Sequence, residues 1–201
     1  ELQTLAADLC LRHYRPGTAI CDFGCSTGTS IRKIAENASH SGRQVPSFVG
    51  IDRSAEMIEK AKKKCAGLDV RWICSDHEPG VFTGTSAVLS LYVLQFIDTA
   101  RRSAILKEIH EGLVAGGVLI LAEKCRSRDE QVEKEITRLY HDFKRSNGYS
   151  DLEILQKDQA LKGILVPLTP EENIRLMESA GFSKWAVLLK YCNFTCFMAV
   201  K

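Results

Sequence analysis

Strand-like apolar runs alternate with helix-spaced apolar residues from residue 18 to residue 122, and that order admits few folds. Thr18 to Phe23 is a short apolar run that stops at Gly24, after which Ile31, Ile34 and Ala35 take up helical spacing. The unit repeats with Phe48 to Ile51 as strand, Ser54 as N-cap, Met57, Ile58 and Ala61 as a helix face, and Val70 to Cys74 as strand. Val88 to Val93 predicts the next strand, Ala100 to Leu113 a helix ended by Ala115-Gly116-Gly117, and Val118 to Ala122 a fifth strand. A helix between successive strands makes them parallel, so the chain reads as α/β with a parallel sheet. Ahead of this core, Leu2, Leu5 and Leu9 predict a helix that packs by that face and ends before Pro16-Gly17. Beyond Glu123 the spacing predicts a long charged helix over 128–146 with Val132, Ile136, Leu139 and Phe143 on one face, and a second helix over 151–162. A third helix over 171–180 ends at Gly181, and a hairpin of Trp185 to Lys190 with Phe194 to Val200 closes the chain around Asn193.

With 201 residues, 45% hydrophobic and 26% charged, one globular domain over 1–201 accounts for the chain. Its 27 basic and 25 acidic residues leave a charge of +2, too little field to make nucleic acid the expected partner. The longest apolar run, Ser86 to Ile97, is about half the length of a bilayer span, and nothing near Glu1 resembles a signal peptide, so no membrane partner is expected. The eight cysteines have irregular spacings without the CxxC or histidine pattern of a zinc site, so no metal is expected. They read as core thiols of a reduced, cytoplasmic chain, Cys74 among them.

The candidate site begins at the turn Asp22-Phe23-Gly24-Cys25-Ser26-Thr27-Gly28. In a doubly wound sheet the ligand sits beyond the carboxyl ends of the strands, where glycine lets the backbone approach it. The spacing is GxxxG with no GxGxxG, which argues against a dinucleotide pyrophosphate. Asp52 ends the second strand, where a carboxylate can accept both hydroxyls of a ribose. Asp76 ends the third, with His77 beside it, and can accept from an adenine amino group. With Asp22 placed to face an α-ammonium, the acids describe a pocket for a cationic nucleoside amino acid.

The segments DFGCSTG, GIDRSAEMIEKAKK, CSDH and GLVAGGVLILAEK resemble the S-adenosylmethionine (SAM) sites of class I methyltransferases. The run YHDFKRSNGYSDLEILQK, with LQF before it and NFTCFMAVK at the end, is similar to the carboxy-SAM synthase family over nearly the whole chain. That resemblance implies a Rossmann-like fold, a seven-stranded mainly parallel sheet with a reversed C-terminal strand, SAM as cofactor, and a homodimer. It implies that Gly24, Cys25 and Ser26 line the methionine part, Asp52 and Arg53 the ribose, and Asp76 and His77 the adenine, in agreement with the site read from the residues, which also takes in Asp22 and Gly28. Residues 124–165 would form a helical insertion over the substrate pocket, and a lid carrying a ligand-binding tyrosine would lie upstream of Glu1.

The chain departs from the family in the reaction pocket. An arginine that holds a carboxylate directly after Gln156-Lys157 is here Asp158, an asparagine after the fourth strand is Leu91, and a histidine is Tyr140. An arginine–carboxylate pair in a partly buried pocket is worth a few kcal/mol, and an aspartate there would repel the same carboxylate. Methyl transfer from a sulfonium needs chiefly alignment, so few catalytic groups are required. The candidates around the strand ends are Tyr92, Gln95, Tyr140, His141, Tyr149 and Asp158. The leading expectation is methyl transfer to an amine-bearing small molecule. Carboxy-SAM synthesis from prephenate, cyclisation of SAM to azetidine-2-carboxylate with release of methylthioadenosine, and SAM binding without turnover stay open beside it.

Overall fold

The computed structural model describes residues 2–201. In chain order it contains α1 (Leu2–His13), β1 (Ala19–Phe23), α2 (Thr29–His40), β2 (Ser47–Asp52), α3 (Ala55–Lys64), β3 (Val70–Cys74) and β4 (Thr85–Leu91). A 3-10 turn (Leu94–Phe96) leads to α4 (Thr99–Gly112) and β5 (Leu113–Lys124). Then come α5 (Glu130–Ser146), α6 (Asp151–Leu161), α7 (Pro170–Ser179), β6 (Lys184–Tyr191) and β7 (Phe194–Val200).

The seven strands form one sheet in the order β3-β2-β1-β4-β5-β7-β6. β1 to β5 pair in parallel, whereas β7 runs antiparallel to both neighbours. The strand order therefore reverses between β1 and β4, which puts the ligand crevice above their carboxyl ends. Both faces of the central strands are buried: Ile20, Ala87, Leu89 and Ile120 pack with α1, α2 and α3 on one side. Cys21, Phe23, Val88 and Leu121 pack with Ile105, Leu106 and Met177 of α4 and α7 on the other. Near-continuous Val, Ile and Leu runs are what two-sided burial selects.

Four expectations change. α1 buries Ala6, Ala7, Cys10 and Leu11, while Leu5 is exposed and Leu2 and Leu9 lie at the margin, because small residues let α1 approach α2 closely. Ala115-Gly116-Gly117 does not end α4. It forms an irregularity inside β5, where the pairing passes from Thr85↔Leu113 to Ala87↔Val118, and Gly112 closes the helix instead. α5 buries none of its residues, so its predicted apolar face is left open, with Val132 and Leu139 exposed. All eight cysteines are free thiols, but Cys74 is exposed at the end of the outer strand β3 and Cys192 is only half-buried between β6 and β7, so neither is core.

Candidate functional site

A cavity of about 490 Å³ opens at the strand-order reversal, within the range of small-molecule sites. Its floor is the turn after β1. Gly24 holds φ 78°, and a Cβ there would lie 2.3 Å from Val93 Cγ2, so only glycine lets this turn meet the loop after β4. Gly24 and Cys25 donate their N–H groups to the Ile51 carbonyl, and Ser26, at φ 48°, donates its own to Asp52 Oδ2 at 2.9 Å. Asp52 Oδ1 accepts from the Ser54 N–H at 2.9 Å, and Ser54 Oγ caps α3 through the Met57 N–H, as the sequence predicts. A carboxylate offers about four lone-pair positions, so acceptor capacity toward the cavity remains.

Gly24, Ser26, Asp52, Arg53, Asp76 and Leu91 all line this cavity. Asp76 faces Arg101 of α4 across the mouth at 3.3 Å, a cation with no signal in the βα pattern. Asp22 is buried, and its Oδ2 has no hydrogen-bond partner. Burial first, and the charge of Asp52 second, push Asp22 up to about 7. Asp22 does not line the cavity, contrary to the expectation that it faces an α-ammonium; Asp52 and Asp76 on the cavity wall, with the orphaned Asp22 oxygen buried behind them, suit a cationic ligand, so these residues fit SAM.

Besides Asp22, three predicted residues are placed elsewhere. His77 turns away to Glu108 of α4 at 2.9 Å. Cys25 is buried among the α1–α2 side of the core, and burial pushes its thiol up. Gly28 serves packing: its φ is 74°, and a Cβ there would sit 2.9 Å from Cys65 Sγ and 3.2 Å from Ala61 Cβ.

A second cavity, of about 390 Å³, adjoins the first through Tyr92, which lines both. Tyr92 holds φ 64°, a left-handed conformation costly for an aromatic residue. Its ring meets Phe194 edge-on at 5.4 Å, Phe194 meets Tyr140 at 5.1 Å, and Phe143 meets Tyr191 at 5.2 Å. Lys144 Nζ lies 4.5 Å from the centre of the Tyr140 ring. Burial raises the Tyr92 and Tyr140 phenols above their ordinary value.

The remaining candidates stand apart from both cavities. Asp158 of α6 pairs with His141 Nε2 at 2.9 Å and Lys144 Nζ at 3.6 Å, both from α5, so its charge is spent between the helices. Tyr149 is exposed at the turn that the Ser150–Glu153 capping box fixes. Gln95 is buried, its Oε1 accepting from the Lys124 N–H at 2.7 Å. The sequence reading missed Glu123, which accepts the N–H groups of Val93, Leu94 and Gln95. It lies on a strand that reads as apolar, and its partners are distant in sequence. Among the described residues no cluster of His, Cys, Asp or Glu could hold a metal, and no helix is long and apolar enough to cross a membrane.

The raised Asp22 value has a stability consequence. An acid whose folded pKa exceeds its ordinary 3.8 adds stability below that value and loses it as pH rises through about 7. Asp22→Asn removes the titration, so thermal unfolding should show the variant gaining on wild type by a few °C between pH 5.5 and 8, at about 2–4 °C per kcal/mol. An unchanged difference in Tm across that range would contradict an ionising buried Asp22.

Residues 20–117 match the methyltransferase domain family model. The carboxy-S-adenosyl-L-methionine synthase of Trichodesmium erythraeum is 38% identical over 193 residues, covering 94% of this chain and 75% of that protein. The synthase of Methylococcus capsulatus is 37% identical, covering 100% of this chain and 84% of that protein. In fold, the chain superposes on magnesium protoporphyrin IX methyltransferase of Synechocystis PCC 6803, solved with bound S-adenosylhomocysteine, with a TM-score of 0.63 at 18% identity, covering 100% of this chain and 81% of that one. With this sheet order and these relatives, the chain is a SAM-dependent transferase and belongs to the carboxy-S-adenosyl-L-methionine synthase family of class I methyltransferases.

Proposed function

We propose that this enzyme transfers the methyl group of SAM to an amine-bearing small molecule held in the aromatic cavity. The observation that carries the reading is Tyr92, whose side of the SAM cavity is also the wall of the aromatic one. Two reactants in adjoining pockets satisfy the main demand of sulfonium chemistry, alignment of acceptor, methyl and leaving sulfur. The π faces of the rings attract cations and so favour an amine-bearing ligand, although Lys144 already covers the Tyr140 ring; to react, the amine gives its proton to solvent and its lone pair forms the N–C bond as the C–S bond of SAM breaks. Asp158 does not supply that attraction, since His141 and Lys144 hold it. SAM, when bound, supplies the activated methyl group, while the chain's residues orient the two partners and exclude water. Residues 124–165 would then cover the acceptor side, with Tyr140 and Phe143 of α5 as its contribution.

A second reading is carboxy-SAM synthesis, which the names of the relatives at 37–38% identity favour. Against it stands the absence of the arginine that the resemblance assigns to holding the carboxylate: Asp158 takes its position, paired between α5 and α6 and outside the lining of both cavities. Mass spectrometry of adenosyl products separates the two. With SAM and a panel of aromatic amines the expected product is S-adenosylhomocysteine, and with SAM and prephenate little carboxy-SAM. Carboxy-SAM formed by wild type at a rate unaffected by Asp158→Arg would restore the synthase activity and end the methyl-transfer reading.

We further propose a homodimer formed through the edge strand β6 and α5. Trp185, Val187, Leu189 and Tyr191 are exposed on the edge strand β6, where Tyr191 meets exposed Phe143 of α5. An open edge strand with apolar side chains is a surface that proteins usually cover. Phe197 of the neighbouring strand β7 does not belong to this surface, because it is fully buried in the core. Light scattering at micromolar concentration should give twice the 22.4 kDa chain mass. A monomer mass would contradict the dimer.

A further inference from the structure

Residues 91–98, which form one wall of the SAM cavity, contain only a single 3-10 turn, yet their backbone is held from both sides by buried charge. Glu123, 2% exposed near the end of β5, accepts from Val93 N–H at 3.3 Å and Leu94 N–H at 3.0 Å through Oε1, and from Gln95 N–H at 2.9 Å through Oε2. From the opposite side Arg102 of α4, also 2% exposed, donates Nε–H to the Ile97 carbonyl at 2.9 Å and Nη2–H to the Gln95 carbonyl at 3.4 Å. The anion takes the donors of the turn and the cation takes its acceptors.

We propose that Glu123 is a positioning residue for SAM binding: by collecting three consecutive backbone N–H groups it holds Val93 against the Gly24 turn and, through the chain, the preceding Tyr92 in the wall shared by the two cavities. The inference rests on SAM as ligand and is independent of which acceptor is used. An ionised carboxylate can receive all three donors. A protonated one turns an O–H toward one of them and loses that bond.

Burial pushes Glu123 up to about 7, while its three backbone hydrogen bonds and Arg102 pull the other way. The clamp is therefore complete above about pH 7 and loosens below it. The charged or titratable groups facing the carboxylate are Arg102 from α4, the Cys125 thiol just beyond β5, and the Tyr92 phenol from the loop itself. Arginine stays protonated in proteins, Cys125 is pushed up to about 11, and Tyr92 is raised from an already high value, so none of them changes charge between pH 6 and 8.

Two measurements on the intact protein test the proposal. In the ligand-free wild type, the amide NMR resonances of Val93, Leu94 and Gln95 should titrate together with a midpoint near pH 7, and in Glu123→Gln they should not. Calorimetry with 5′-methylthioadenosine, which lacks the amino-acid part and so its ammonium, should show wild type binding at least about fivefold more weakly at pH 6 than at pH 8. Glu123→Gln should bind equally at both. Amides that do not titrate in wild type, or a variant that keeps the wild-type pH profile, would overturn the proposal. Absence of nucleoside binding to wild type at pH 8 would instead overturn the SAM reading, leaving the amide titration to decide the clamp alone.

Discussion

The Asp52 carboxylate joins the two turns from which the cavity is built. One oxygen holds the Ser26 N–H and the other the Ser54 N–H, so the end of β2 fixes both the glycine turn after β1 and the start of α3. Ser26 takes that bond at φ 48°, a left-handed conformation uncommon for a residue other than glycine, and the nearby Ile51 carbonyl secures the residues before it. A single acid at a strand end thus organises backbone from two neighbouring crossovers and keeps free lone pairs pointed at the ligand's side of the sheet. The parallel order of β1 and β2 makes this reach possible, since both strands deliver their carboxyl ends to the same edge.

Buried charge is concentrated around that edge. Asp22 lies beneath the turn after β1, while Glu123 and Arg102 brace the loop after β4. Desolvation opposes ionisation of both acids, which is a direct cost to folding at neutral pH. A chain selected for stability alone would place apolar residues there. The positions make sense when a cationic ligand and a rigid wall are required, because an ionised acid then binds what an apolar side chain could not.

The regular parts of this arrangement were legible in the residues. Apolar runs at two-sided strand spacing, helix faces such as Ile31, Ile34 and Ala35, the Ser54 cap and the Gly24 turn are local signals, and each corresponds to an element or contact in the structure. Partners distant in sequence were not. Asp158 shows the limit: its position after Gln156-Lys157 was plain, but the ion pairs with His141 and Lys144 arise from how α6 lies on α5, which no spacing encodes. Arg101 and Arg102 look alike on α4, yet one faces the cavity mouth and the other is sealed beneath the loop. The apolar stripe of α5 was correctly read as a stripe, but amphipathic spacing does not tell whether its cover is the same chain or another.

Calorimetric titration of SAM into wild type and Asp52→Ala tests the central claim that the strand-end carboxylates build the SAM site. The variant, still folded by circular dichroism, should lose about 1.5–3 kcal/mol of binding through lost hydrogen bonds to a charged acceptor and a loosened turn. Equal SAM affinity in the two proteins would contradict it.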